Sequence, residues 1–296
     1  MRRLPENTFF RYFGTITTWY LHSHITWAIL LQSFMAVLLS PFGAFLGRTV
    51  LLYTRRRRQS LVNSHRQSRW LSTELQASAG DLWKWNGRSV FIVDGSHVSM
   101  PDTEENQAVY PQVPNQKPGL GFPLARITVA LSLATGACHD LAIAPYQGKG
   151  TGEKTLFRRM YDTLKPGDVV LADALFDDYF IACELCDRKI DLVARVQHER
   201  VGSRTAQSGP DGDIIVWQRP NKPRGMTGEQ YRRYPKQLLM RQVTVDARDK
   251  DNRVKQFKVI TTILARSIDG KQIGDLYERR WDGEVDIRSI KCTMQM

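Results

Sequence analysis

Between residues 88 and 196 the hydrophobic positions fall in short apolar runs, set apart by polar turns or by stretches of helical period. RSVFIVDGSHVSM, at 88–100, predicts a buried strand that leaves its sheet at Asp94-Gly95-Ser96. Ala125 to Ala134 and Ala137 to Ala144 are alternating runs joined by the turn Thr135-Gly136, which makes a three-strand meander. A helix follows from Gly152 to Leu164, with Thr151 as its N-cap and Lys165-Pro166-Gly167-Asp168 closing it. Val169 to Ala172 is a short, fully apolar strand, and Asp173 sits just past its end. Tyr179 to Asp187 is the next helix and Asp191 to Val196 the next strand. Asp177 and Asp178 stand at that helix's start, where the dipole favours a carboxylate, whereas Asp173 has no such ready structural role.

Residues 197–265 break this rhythm. They are rich in turn signals (SGPDGD, RPNKPRG) and carry β-like runs at Ile214 to Gln218, Leu238 to Asp246 and Phe257 to Leu264, so a β-rich insertion is expected. Trp217 within it either stacks on nucleic-acid bases or fills a small insertion core. After the insertion comes DLYERRWDGEVDIRSIK, 275–291, with helical spacing. Tyr277, Arg280, Glu284 and Lys291 lie at offsets of 3, 7 and 14, which places all four within about 60° on one helix face. A carboxylate between a phenol and two cations suits a metal ion held beside a phosphate; the bland alternative is a solvated helix face laced with charge pairs.

Charge sharpens this picture. The net +12 is uneven: residues 1–88 carry 12 Lys/Arg against 3 Asp/Glu, 197–265 carry 14 against 7, and the remainder 16 against 20. An acidic centre between basic flanks fits a metal-dependent enzyme acting on a polyanion. Residues 1–87 read as a mainly helical, basic region in which Arg55, Arg56, Arg57 and Arg58 form a cationic tract, either solvated or set against a DNA backbone. A hydrophobic share of 42% excludes a disordered chain. The apolar run Ile25 to Leu39 is interrupted by Gln32 and Ser33 and falls short of a bilayer span, so a buried helix is expected there and no membrane partner. QGKGTGE, at 147–153, lacks the residue order of a nucleotide-binding loop. Cys138, Cys183, Cys186 and Cys292 form no disulfide or zinc framework.

Three carboxylates now stand out: Asp94 and Asp173 at strand exits and Glu284 on a helix face. With the first and fourth strands as sheet neighbours, and the last helix packed across them, they can share two divalent cations about 4 Å apart for in-line phosphoryl transfer.

The segments VDGSHVSMPDTEENQAVYP, QKPGLGFPLARI, GKGTGEKTLFR, DVVLADALFDDYF and YERRWDGEVDIRSIK together resemble the DDE transposases of bacterial insertion sequences. Within that class they are similar to the IS-four family, whose Y-x2-R-x3-E-x6-K signature Tyr277, Arg280, Glu284 and Lys291 match. The resemblance covers about 88–296. It implies an α/β fold: a ribonuclease H-like core (88–196), a β-rich insertion (197–265) and a catalytic helix (266–296), preceded by the helical basic region 1–87. It implies Asp94, Asp173 and Glu284 as catalytic metal ligands for two Mg²⁺, with Mn²⁺ as a substitute. Tyr277, Arg280 and Lys291 would hold DNA-end phosphates, and Trp217 would receive a flipped base. The implied partners are double-stranded DNA, as terminal repeats and target, and a second copy of the chain in the DNA complex; the implied place is the bacterial cytoplasm, at the nucleoid. Family members continue well past the lysine, so a truncated, inactive remnant that still binds transposon ends is the alternative.

Overall fold

The computed structural model describes residues 69–281 apart from 118, 199, 201 and 249–253. Arg55 to Arg58, the run Ile25 to Leu39, Glu284, Lys291 and Cys292 lie outside the described residues. Helix α1 (69–78) leads into β1 (Val90–Ser99), α2 (Glu104–Val109), β2 (Leu124–Ser132) and β3 (Cys138–Pro145). Then come α3 (Glu153–Arg158), β4 (Val169–Ala172), α4 (Tyr179–Asp187) and β5 (Asp191–Arg195). The stretch 197–265, expected as an insertion, contributes β6 (Arg204–Gln207), β7 (Asp213–Gln218), α5 (Gly228–Arg233), β8 (Gln237–Arg248) and β9 (Val254–Thr261), before α6 (Gly270–Glu278).

The nine strands of the described residues form one sheet in the order β3-β2-β1-β4-β5-β9-β8-β7-β6. β4 pairs in parallel with β1 and with β5, while the other pairings are antiparallel. A parallel strand fed by helical crossovers is buried on both faces, and the unbroken apolar run VVLA is the sequence form of that burial. The mixed α/β sheet is the kind of fold expected. The strands of the insertion extend it rather than building a separate body, because β9 lies against β5 through Val193, Ala194 and Arg195.

The alternation of side chains along β1 sorts the core into two layers. Phe91 and Val93 face one cluster with Leu156 and Phe157 of α3 and Ile181 and Leu185 of α4. Val90 and Ile92 face the other, with Ile273, Leu276 and Tyr277 of α6. The second helix seats closely because Gly274 lets its backbone approach β8, where a Cβ would stand 3.3 Å from Val245. Its start is fixed by Arg241, 3% exposed, which donates to the carbonyls of Ile268 (2.6 Å) and Asp211 (2.9 Å). Asp269 caps that helix by accepting from the amide of Gln272, whose side chain returns the bond.

Five expectations change. β1 does not leave the sheet at Asp94-Gly95-Ser96 but runs on to Ser99, because its second half stays paired with β2 from Gly95 opposite Thr128 to Ser99 opposite Leu124. The helix read from Gly152 to Leu164 is instead α3 followed by a 3-10 turn, Tyr161–Thr163. Gly152, not Thr151, precedes α3, because the Thr151 hydroxyl donates back to the Gly148 carbonyl. Asp177 is withdrawn from the start of α4, since its carboxylate accepts from Arg200 (2.7 Å) and from the amide of Gln197 (3.0 Å). Asp173 does have a local role: it caps the 3-10 turn Ala174–Phe176 by accepting from the Leu175 amide at 2.9 Å.

Candidate active site

β1 and β4 run side by side, with Val93 opposite Ala172. Asp94 and Asp173 are the next residues on each, so they stand side by side at one level, Asp173 just past the end of β4 and Asp94 within β1 where β4 ceases to be its neighbour, at a strand spacing of about 4.8 Å. By alternation both belong to the face of Ile92 and Leu171, the face that α6 covers. Each is partly buried, and each carboxylate accepts a nearby amide, Gly95 for Asp94 at 2.8 Å and Leu175 for Asp173.

Two members of the expected helix face arrive at this edge. Tyr277 is 2% exposed and Arg280 7%, so neither is a solvated surface position. Burial pushes the Tyr277 phenol up; the hydrogen bond and charge of Arg280 and the charge of Arg195 work against that shift, and nearby Asp173 adds to it. The ring of Tyr277 lies 5.5 Å from that of Phe257, over which Arg195 stacks at 5.3 Å. Arg195 thus joins Arg280 as a second cation near Asp173. Sequence reasoning passed it over, although it closes β5 one residue past Ala194, the register partner of Ala172.

A further carboxylate was missed. Glu153 opens α3 on the opposite face of the sheet, yet a Cβ built on Gly95 would coincide with its carboxylate. Burial raises the Glu153 carboxyl above its usual range; Arg126 opposes this, and the negative charges of Asp173 and Asp94 add to it. Among the described residues no three His, Cys, Asp or Glu side chains are grouped to hold a metal ion. Asp94 and Asp173 carry the hard oxygens that a divalent cation such as Mg²⁺ takes, so they fit two ligands of such a site.

Trp217 sits elsewhere. It is 3% exposed within the layer of Phe176 and Tyr179, so the core that holds it is the main one and not a small core of the insertion. The Arg200 guanidinium lies 4.0 Å from its ring centre, anchored by Asp177. A cavity of about 250 Å³ beside them is walled by His198, Arg204 and Lys258. A base reaches the Trp217 ring only if Arg200 moves aside. The thiols of Cys183 and Cys186 are pushed up by burial to about 12 and about 11, which disfavours the thiolate form that metal or redox chemistry needs. No helix among the described residues is long and apolar enough to cross a membrane.

A mixed sheet with two carboxylates level on adjacent strands, and a phenol and guanidinium brought to that face by α6 and the residues just after it, is compatible with the ribonuclease H-like fold of DDE transposases. The chain belongs to the transposase DDE domain family, whose model matches residues 85–296. That family generally uses divalent metals. The chain is also similar to the transposase InsG for insertion sequence element IS4 of Escherichia coli (strain K12), at 23% identity over 218 residues. The match covers 71% of this chain and 46% of the relative, so the chain spans about half the length of the curated relative it matches.

Proposed function

We propose that this chain is a DNA transposase of an insertion sequence, of the subgroup marked by Tyr277, Arg280, Glu284 and Lys291, which cuts transposon ends and joins the freed 3′-hydroxyl to target DNA. The observation that carries the reading is that Asp94 and Asp173 stand level on the neighbouring β1 and β4, on the face where Tyr277 and Arg280 are buried. Asp94, Asp173 and Glu284 would hold two Mg²⁺ ions, or Mn²⁺ in their place. When bound, these supply charge stabilisation for the attacking and leaving oxygens of an in-line phosphoryl transfer.

The remaining work falls to the chain's own side chains. Arg280 and Arg195, with Lys291, neutralise phosphate oxygens at the DNA end, and burial of Arg280 gives its charge more force than a surface cation has. Tyr277, hydrogen-bonded by Arg280, fixes the direction of that guanidinium. Arg55 to Arg58 grip the DNA backbone, and a second copy of the chain completes the synapsed complex. Trp217 accepts a displaced base once Arg200 swings away. The protein works in the bacterial cytoplasm, at the nucleoid.

The test is Mg²⁺-dependent nicking of a duplex that carries the element's terminal repeat. Activity in the intact chain, lost in Asp94→Asn and in Asp173→Asn with DNA binding retained, supports the reading. End binding without any cutting by the unaltered chain would instead mark an inactive, DNA-binding remnant.

A further inference from the structure

Glu153 approaches Asp94 and Asp173 from the wrong side of the sheet. α3 packs through Leu156 and Phe157 on the layer of Phe91 and Val93, whereas the two aspartates belong to the layer of Ile92 and Leu171. A side chain on that first layer ordinarily stays there, because the strand backbone and the next Cβ wall it off. Gly95 removes the Cβ, and the Glu153 carboxylate fills the place where it would stand, against the backbone that carries Asp94. Any larger residue at 95 would have to expel it.

The neighbours on that layer agree with a charged group placed there on purpose. Thr128 is the register partner of Gly95, and Arg126 pairs with His97 one alternate position along. Thr128 is fully buried, and its hydroxyl has no hydrogen-bond partner among the described residues. The buried Nε of Arg126 likewise has none, although the guanidinium stacks on Tyr146 at 5.1 Å and its charge acts on Glu153. A carboxylate serving only as a structural ion-pair partner would take up those donors. This one instead lies over Gly95 beside them, and Lys154 holds the start of α3 by donating to Asp178 at 2.7 Å.

We infer that Glu153 is a positioning residue of the Asp94 and Asp173 pair, adding a negative charge behind them through the gap at Gly95 and so raising their affinity for a divalent cation. It acts through the field it lays on the two aspartates, not as a ligand. The inference rests on the function proposed above, since it assigns the cation to Asp94 and Asp173.

The test is binding of Mn²⁺ alone to the full chain without DNA, read as loss of the free-ion electron paramagnetic resonance signal, with circular dichroism and melting as fold controls. Glu153→Gln weakens binding roughly five-fold, the scale expected for one unit charge several ångströms away in a partly solvated site. Gly95→Ala gives a similar loss with Glu153 still in the sequence, and Arg126→Gln tightens binding by a comparable factor. Should Glu153→Gln fail to fold, the Arg126→Gln result decides, and unchanged affinity there overturns the inference. Normal affinity in both Glu153→Gln and Gly95→Ala, alongside its loss in Asp94→Asn, removes the role of Glu153 and leaves the proposed function standing. Unchanged binding in Asp94→Asn strikes the proposed site itself.

Discussion

Two groups of carboxylates in this molecule are treated in opposite ways. Glu184, on α4, is satisfied from inside the chain: Arg158 Nε donates at 2.7 Å, Tyr161 at 2.9 Å and Tyr234 at 2.7 Å. Tyr234 belongs to the insertion, and Tyr179 reaches the same segment by donating to the Pro235 carbonyl at 2.7 Å, so this centre clasps the insertion to the core. Asp178 is similar, with Lys154 and the amides of Phe180 and Ile181 as donors. Just past the end of β4, by contrast, Asp173 accepts the amide of Leu175, and Glu153 adds more negative charge nearby. In the function proposed above, the first group holds the structure together and the second takes a cation.

Asp173→Asn tests this contrast most severely. It should cut Mg²⁺-dependent DNA cleavage by ~100-fold or more while leaving the melting temperature close to that of the parent, as measured on a labelled duplex. The opposite pattern is expected at the clasp, where Glu184→Ala should cost roughly 3 kcal/mol by stranding Arg158 and two phenols, read by chemical denaturation, with Mn²⁺ affinity unchanged. If both variants fail in the same assay, the division between the two groups is wrong.

The acid limb of stability gives a finer test. Burial pushes the Asp178 carboxyl up, but the hydrogen bond and charge of Lys154, the Ile181 amide and the charge of Arg158 outweigh it and hold the group below its ordinary value of 3.8. A depressed carboxyl contributes stability that is complete above the unfolded value and lost as pH falls through the folded one. Melting curves taken below about pH 4 should therefore fall less steeply for Asp178→Asn than for the parent. Glu153 has the reverse sign. Its carboxyl is raised above 4.5, so its ionisation costs stability once pH exceeds the folded value, and the cost disappears below the unfolded one. Glu153→Gln should melt slightly higher than the parent near neutrality and match it in acid; equal melting at both would deny the crowding at the strand ends.

The sequence reveals those parts of the molecule whose signal is local. Val169 to Ala172 and Tyr179 to Asp187 coincide with β4 and α4, because an unbroken apolar run and a capped helical period declare themselves within a few residues. Asp94 and Asp173 are legible for the same reason, each being an acid that interrupts or follows an apolar strand. β6 escapes notice because all four of its residues are exposed and Ala206 is its one apolar member, so its pairing with β7 has no hydrophobic signal. The break after Arg158 is hidden by Met160 and Tyr161, buried residues whose spacing continues a helical pattern although the backbone has turned into a 3-10 form. Glu153 and Arg195 are invisible for a further reason. Their importance comes from register and from one missing Cβ, which arise only once distant strands are set side by side.

The pairing of β5 with β9 has a metrical consequence. Trp217 on β7 and the carboxylate edge at β4 are knots on one hydrogen-bonded lattice, with β5, β9 and β8 between them. Four strand pairings separate them, each at a spacing of about 4.8 Å along the sheet. A flexible tether would let that span drift, whereas a sheet works as a ruler, and deleting a strand from it would shorten the measure by one division.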